Sequence, residues 1–361
     1  MKTIVCNTKF KLDSFSDGGS KRAMQIRELL AENGLTYKDD PFVLPKKVSK
    51  GMLFKWAIRA MVFIQKHYPK KSIHSVSQYF RLIKYYALRI PIIYDKYYHS
   101  DVVFLWENTN DRDILYLMNV VGKSVVGMPH NIESLVQGRS IAALKAEVMN
   151  LDHCDTTFTI SKEEAWLLRL LGLSSYYLPY YPPQAAEAFL LSIREQRTHR
   201  NCNSRQKFVL LGSATNNPTR TGMQAMIDYM ATQSLSFDFF VAGYGTESLA
   251  KVSHPGISML GTLSNDALQQ LLLEADAVLI FQPPTTGALT RIPEMLIAGI
   301  PVFANFDAAR NYYENKDVIV YQSFEDLFRR LVSFKAYDTE LFKRDVEAEQ
   351  TFIRLISQAC Q

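Results

Sequence analysis

The pattern at residues 283–305 says most about the chemistry of this chain. After an apolar stretch that predicts a strand, a loop with Gly287 and Thr290 leads into a short predicted helix. In a strand, loop and helix unit, the loop and the helix N-terminus offer unpaired N–H donors that suit a phosphate. Arg291 adds a fork of charged donors, and the Glu294 carboxylate can accept hydrogen bonds from two sugar hydroxyls. The segment therefore predicts a site for a nucleotide or a nucleotide sugar.

Strands and helices alternate along most of the chain and would position this segment. Apolar stretches predict strands at 2–8, 102–106, 124–128, 157–160, 208–211, 237–242, 257–260 and 277–281, and a further strand after Gly299. Such alternation is typical of α/β domains with mostly parallel sheets. A proline-containing and polar stretch near residue 190 separates two such regions, which predicts Rossmann-like domains at 1–184 and 205–337. The tail at about 338–361 predicts an amphipathic helix.

Composition places the chain among ordinary globular proteins. Its 361 residues are 47% hydrophobic and 21% charged, which is enough for two domains that each bury a core. The four cysteines lie far apart, so we expect neither a disulfide framework nor a zinc site. The sequence also predicts no signal peptide and no membrane-spanning segment. We therefore expect a cytoplasmic protein. A second expectation is peripheral contact with the inner face of the cytoplasmic membrane.

Positive charge is concentrated in residues 41–100. This stretch has twelve Lys and Arg residues and one carboxylate, Asp95, although the whole chain carries only +5, so the rest is net acidic. Three interpretations fit the stretch: a core helix with a solvated edge, an interfacial helix on anionic lipid, and a nucleic-acid surface. No nucleic-acid recognition motif accompanies the charge, so no nucleic-acid partner is expected.

Motifs spread over most of the chain resemble those of glycosyltransferases with the GT-B fold, in particular a large bacterial family known as family 4. The motifs that carry the likeness are Gly18-Gly19, Pro129-His130-Asn131, Ile160 to Ala165, Leu178 to Pro182, Leu211-Gly212-Ser213, Val241 to Gly245, Leu260-Gly261, Arg291 to Glu294 and Gly299 to Val302. In retaining members of that family the donor loop carries two glutamates separated by seven residues. Glu294 matches the second of them, whereas Thr286 stands where the first would be.

The resemblance implies two domains facing each other across a cleft, with the C-terminal helix crossing back to the first domain. It also implies that a nucleotide-sugar donor binds mainly to the second domain. The residues implied in donor binding are Gly19, Gly212, Ser213, Arg220, Gly243, Tyr244, Leu260, Gly287, Thr290, Arg291 and Glu294. Catalytic candidates are His130, Glu107 and Arg220, the last of which would neutralise the departing diphosphate.

Several of these residues have a simpler structural interpretation. Arg291 and Glu294 could form a surface ion pair three residues apart, and Thr290 could cap a helix. Arg220 lies in a sequence that also suits an exposed turn. His130 could be a solvated loop residue, and Glu107 could be either a general base of an inverting enzyme or a structural carboxylate.

Metal chemistry has one candidate motif. Asp111-Arg112-Asp113 has the D-x-D pattern of the other main glycosyltransferase fold, but it precedes an apolar periodic run in which acidic residues suit a helix N-terminus. The resemblance implies that the enzyme needs no metal and no cofactor.

The expected function is transfer of a sugar from a nucleotide-sugar donor to a glycan or lipid-linked glycan, in bacterial surface polysaccharide synthesis. A sugar-nucleotide epimerase or hydrolase of the same fold is one alternative. A non-catalytic nucleotide- or glycan-binding assembly subunit is another.

Overall fold

The computed structural model describes residues 2–13, 17–40, 42–44, 47–67, 75–136, 140–197 and 205–361. Lys46, Lys70, Lys71, His74 and Cys202, which figure in the sequence-based expectations, lie outside these ranges. The three described cysteines are free thiols.

The first domain alternates strands with helices around one sheet. Its elements are β1 (Thr3–Asn7), α1 (Gly18–Glu32), β2 (Tyr37–Asp39), α2 (Lys50–His67), α3 (Val76–Tyr97), β3 (Val102–Trp106), α4 (Arg112–Val120), β4 (Val125–Gly127), α5 (Glu133–Val136), α6 (Ile141–Leu151), β5 (Thr156–Thr159), α7 (Lys162–Leu170) and β6 (Ser175–Tyr177). All its strands pair in parallel, in the order β2-β1-β3-β4-β5-β6.

The second domain repeats this plan. Its elements are α8 (Gln184–Arg197), β7 (Lys207–Leu211), α9 (Asn217–Ala231), β8 (Asp238–Ala242), a 3-10 turn (Thr246–Ser248), β9 (Ile257–Gly261), α10 (Asn265–Glu274), β10 (Ala277–Ile280), α11 (Arg291–Ile297), β11 (Val302–Asn305), α12 (Phe306–Ala309), β12 (Val318–Tyr321), α13 (Phe324–Ser333) and finally α14 (Val346–Ala359). Its parallel sheet has the order β12-β11-β10-β7-β8-β9.

In each sheet the strand order reverses beside the first strand, between β1 and β3 and between β7 and β10. Ligands of open α/β sheets bind beyond the carboxyl ends of the strands at such points. The predicted α/β fold class with two Rossmann-like domains is confirmed.

The last helix returns to the first domain. Phe352 and Ile356 of α14 are buried in one cluster with Ile4 and Ile26, which confirms the predicted crossing. The predicted start at about 338 is wrong, because the helix begins at Val346, after an N-cap from Asp345. The preceding stretch is tied to the second domain instead, as in the hydrogen bond from Glu340 N to Asp317 at 2.9 Å.

Three strands were not predicted: β2, β6 and β12. All three lie at sheet edges and are only three or four residues long. An edge strand is covered on fewer sides, so its sequence need not show the apolar run of a central strand. The β2 sequence Tyr-Lys-Asp illustrates this, since none of its residues is buried.

Asp111 caps α4, and its carboxylate accepts a hydrogen bond from Ile114 N at 3.3 Å. The D-x-D pattern is therefore accounted for by the helix terminus. Among the described residues, no cluster of three His, Cys, Asp or Glu side chains could hold a metal ion.

Candidate functional site

The floor of the site in the second domain is formed where β7, β8 and β10 end. Arg291, at the start of α11, donates from Nη1 to the carbonyl of Leu211 at 2.6 Å. A Cβ at Gly212 would lie 2.4 Å from that guanidinium, so only glycine leaves room for it. Burial lowers the pKa of Arg291 to about 10. Arg291 therefore fastens the loop at 283–290, which we name the donor loop for its predicted role, to the end of β7. Its positive charge is fixed at the floor of the site.

The neighbouring strand end is equally crowded. Gly243 has φ +128°, and a Cβ there would lie 1.9 Å from the carbonyl oxygen of Gly212. Ser213 shares a hydrogen bond with Thr215 at 2.8 Å between their hydroxyl oxygens. Glycine at these positions lets the ends of β7 and β8 pack backbone against backbone.

A cleft of about 920 Å³ opens between the two domains. It is lined from the first domain by Asn131, Glu133 and Val136, and from the second by Thr215, Asn216, Asn217, Pro218, Thr221, Pro283 and Pro284. The N-terminus of α9 thus faces the cleft, and the side chain of its N-cap Asn216 makes no capping hydrogen bond. Arg220, in the first turn of this helix, is exposed. Free N–H donors, the positive helix end and a cation together suit a phosphate group.

None of the predicted donor and catalytic residues is among those that line the cleft. Tyr244 and Leu260, near the ends of β8 and β9, are 66% and 38% exposed and are absent from the cleft wall.

Glu294 connects the two domains. Its carboxylate accepts hydrogen bonds from Tyr180 Oη at 2.7 Å and from Lys21 Nζ, in α1, at 2.9 Å to both oxygens. The Arg291 guanidinium donates to the Leu211 carbonyl, and Glu294 pairs with Lys21. The alternative of a surface ion pair between Arg291 and Glu294 is therefore wrong. A carboxylate has about four acceptor positions, and three are filled here. Sugar hydroxyls that bind Glu294 must therefore share it with Lys21 or displace it.

The glycine loop of the first domain meets the donor loop across the cleft. A Cβ at Gly18 would lie 2.8 Å from Thr290 Oγ1, and one at Gly19 would collide with the Phe10 ring. Thr290 occupies the N-cap position of α11 but makes no side-chain capping bond, so its hydroxyl is not used by the helix. The Phe10 ring in turn lies 4.4 Å from the His130 ring, between centroids.

His130 is held by a buried charged network. Its Nε2 lies 3.0 Å from Glu107 Oε2, while Arg27 Nη1 donates to Glu107 Oε1 at 2.6 Å and Thr8 Oγ1 donates to Oε2 at 2.6 Å. Burial by itself would raise the pKa of Glu107, but the hydrogen bond from His130 and the charge of Arg27 outweigh it and lower the pKa. With a side chain only 2% exposed, Glu107 is placed to orient His130.

Glu164, in the first turn of α7, was missed as a site residue. One oxygen of its buried carboxylate accepts from Ile132 N at 2.8 Å and from Gly287 N at 3.1 Å, so it joins the loop after His130 to the donor loop. Burial raises the pKa of Glu164 to about 7. Its motif, Ile160 to Ala165, is among those that carry the resemblance, but no local signal marks a contact that spans 123 residues.

Thr286 belongs to the same junction. Its hydroxyl donates to the Ile132 carbonyl at 3.2 Å, and a Cβ at Gly287 would lie 3.2 Å from the His130 carbonyl oxygen. In this structure the donor loop therefore packs directly on the loop that carries His130. Thr286 contributes to that packing at the position where the resembled family has a glutamate.

No family model matches the chain, and no curated protein matches it. Solved structures do. A sucrose-phosphate synthase from Thermosynechococcus elongatus superposes with a TM-score of 0.58 over 99% of both chains at 13% identity. HepE of Anabaena, solved with UDP and glucose, gives 0.56 at 11% identity over 99% of this chain and 100% of its own. A UDP-forming trehalose-phosphate synthase from Burkholderia xenovorans gives 0.57 at 10% identity, over 99% and 96%.

These neighbours and the two facing parallel sheets define the class: the chain has the GT-B fold of glycosyltransferases. The neighbours come from more than one enzyme type, so they support the fold without selecting one family within it.

Proposed function

We propose that the protein is a glycosyltransferase that takes a sugar from a nucleotide diphosphate donor and passes it to a glycan or lipid-linked glycan acceptor in bacterial surface polysaccharide synthesis. The observation that carries this proposal is the presence of three features where the two domains face each other. These are the uncapped α9 N-terminus with Arg220 nearby, the Glu294 carboxylate with one acceptor position left, and His130 held by a charged network in the first domain.

Each feature has a role in the proposed reaction. The α9 N-terminus and Arg220 would hold the diphosphate and stabilise the charge that grows on it as it leaves. Glu294 would accept hydroxyls of the nucleotide's ribose, and His130 would contact the transferred sugar or the acceptor. HepE was solved with UDP, and the trehalose-phosphate synthase is UDP-forming, which supports UDP as the first nucleotide to test.

The protein itself supplies the cations that a diphosphate leaving group needs, and we infer from this that the transfer requires no metal. Turnover that persists in EDTA would support the inference, and turnover restored only by Mg²⁺ or Mn²⁺ would refute it. Contact of the 41–100 stretch with an anionic membrane is also part of the proposal, since it would bring the enzyme to a lipid-linked acceptor.

Binding of a panel of nucleotides and nucleotide sugars, measured by calorimetry, tests the central proposal. We expect at least one nucleoside diphosphate to bind, and Glu294→Ala to weaken it by about ten- to one-hundredfold, since hydrogen bonds to charged groups contribute about 1.5–3 kcal/mol. Glu325→Ala is the matched control, because Glu325 also lies in the first turn of a helix but is exposed.

The alternatives give different results. Nucleotide release without any acceptor would indicate a hydrolase, and binding without turnover across a panel of acceptors would indicate a non-catalytic subunit. If no nucleotide binds, or if Glu294→Ala binds as the wild type does, the proposed donor site is wrong.

A further inference from the structure

Helices α2 and α3 form a hairpin on the first domain that buries only one side of α2. Ala60, Phe63 and Ile64 are the residues of α2 that are buried, and they pack against α3 and the neighbouring core. The opposite side is not covered by any described part of the chain. There Phe54, Ile58 and Val62 are 69%, 43% and 58% exposed.

The exposed apolar residues form a stripe and are not scattered. Phe54, Ile58 and Val62 are spaced four apart, so they lie along one face of α2. On α3, Val76 and Phe80 have the same spacing and are 73% and 64% exposed. Isolated exposed apolar residues are normal on a soluble protein, but two continuous stripes on one hairpin mark an interaction surface.

Cations flank these stripes. On a helical wheel Lys55 and Lys66 lie beside the α2 stripe, and Arg81 and Lys84 lie beside or within the α3 stripe. These four side chains form no ion pair with any carboxylate in the described ranges, whereas Arg59 is paired with Asp95 at 2.6 Å. We use the name hairpin face for the exposed sides of α2 and α3 that carry Phe54, Ile58, Val62, Val76, Phe80, Lys55, Lys66, Arg81 and Lys84.

We propose that the hairpin face docks on the surface of an anionic lipid bilayer. Apolar side chains would enter the boundary between headgroups and acyl chains, and the lysine and arginine side chains would meet anionic headgroups. Among the described helices none is long and apolar enough to cross a membrane. The hairpin would therefore lie along the surface and would not span the bilayer.

The charge pattern selects this occupant over others. A second copy of the chain on the same face would bring the unpaired cations of both copies together, which is unfavourable. A nucleic acid would satisfy the cations but would leave the apolar stripes against phosphates. An anionic bilayer accommodates both parts of the face.

This docking deepens the membrane contact that is part of the proposed function. It can be tested separately, because binding to lipid needs neither donor nor acceptor. The test is co-sedimentation of the full chain with vesicles of phosphatidylglycerol and phosphatidylcholine, compared with vesicles of phosphatidylcholine alone. We expect binding to the anionic vesicles, at least tenfold weaker binding to the neutral ones, and weakening by added salt.

Two sets of variants separate the contribution of the cations to vesicle binding from that of the apolar side chains. Lys55→Gln with Lys84→Gln should weaken binding to anionic vesicles by about fivefold per cation, whereas the exposed pair Lys251→Gln with Lys335→Gln in the second domain should not change it. Phe54→Ser with Ile58→Ser should weaken binding by about tenfold or more, whereas Leu170→Ser, exposed on α7, should not.

Equal binding to neutral vesicles, or no binding to either kind, overturns the proposal. So does concentration-dependent dimerisation that Phe54→Ser abolishes, because the face would then hold a second copy. UDP binding and thermal unfolding of every variant are measured without lipid. Vesicle binding that is lost while UDP binding and folding are retained supports the docking face, and absence of UDP binding in the wild type bears on the proposed function alone.

Discussion

Replacing Glu164 by glutamine is expected to make the protein more stable at alkaline pH but not at acid pH. Burial raises the pKa of Glu164 from 4.5 to about 7 in the folded protein. At about 1.4 kcal/mol per pH unit, the ionised carboxylate costs the folded state about 3 kcal/mol. The folded pKa of Glu164 lies above the unfolded one, so the contribution of this side chain to the free energy of unfolding is fully present below about pH 4.5. That contribution is lost as the pH rises through about 7.

Glutamine keeps an oxygen that can accept from Ile132 N and Gly287 N, but it never ionises. The difference in free energy of unfolding between Glu164→Gln and wild type should therefore shift by about 3 kcal/mol in favour of glutamine between about pH 4.5 and pH 8. Any constant cost of the amide cancels in this comparison. Urea unfolding followed by circular dichroism at several pH values gives the measurement.

Glu163→Gln is the control for this experiment. Glu163 lies in the same helical turn but is exposed, so its substitution should produce no comparable shift. A shift below about 1 kcal/mol for Glu164→Gln would refute the assignment of a penalised buried carboxylate. Glu164→Ala should in addition weaken donor binding by about tenfold, because it leaves the buried N–H of Gly287 unpaired beside the donor loop.

The remaining predictions concern the floor and the walls of the cleft. Arg220→Ala should lower kcat by about one-hundredfold in a donor-turnover assay, with a partial return in Arg220→Lys, if Arg220 stabilises the departing diphosphate. Gly243→Ala should destabilise the fold by about 3 kcal/mol or more in urea unfolding, since a Cβ would lie 1.9 Å from a backbone carbonyl oxygen. Gly34→Ala, with φ +66° and open space, should cost only about 1 kcal/mol. Lys21→Met should tighten donor binding in calorimetry by about two- to fivefold, because it frees Glu294; weaker binding would show that Lys21 itself contacts the donor.

The sequence predicted the central strands well because these strands are apolar on both faces. Residues 102–106, for example, form β3 as expected, and every one of them is buried. The donor loop could also be recognised, since Gly287, Arg291 and Glu294 lie close together in the chain. Their chemistry could therefore be inferred from local spacing.

Partners across the cleft could not be predicted in this way. Lys21 lies 273 residues from Glu294, and neither side chain shows in the sequence that it will meet the other. The same holds for Glu107, whose role beside His130 depends on Arg27 from a helix 80 residues away. The first contact depends on how the two domains face each other, and the second depends on how a helix packs on its own sheet. Local periodicity encodes neither.

The two walls of the cleft differ in where the partners of their charged side chains come from. On the first domain, His130 is oriented by a network of Glu107, Arg27 and Thr8 that is complete within that domain and needs no ligand. On the second domain, the buried carboxylate of Glu294 is satisfied by Lys21 and Tyr180, which both reach across from the first. A buried carboxylate left without partners is costly, so the contact between domains is stabilised in the empty cleft. In the proposed reaction, donor hydroxyls would take the acceptor positions that Lys21 now fills, so that Glu294 would not be left unpaired.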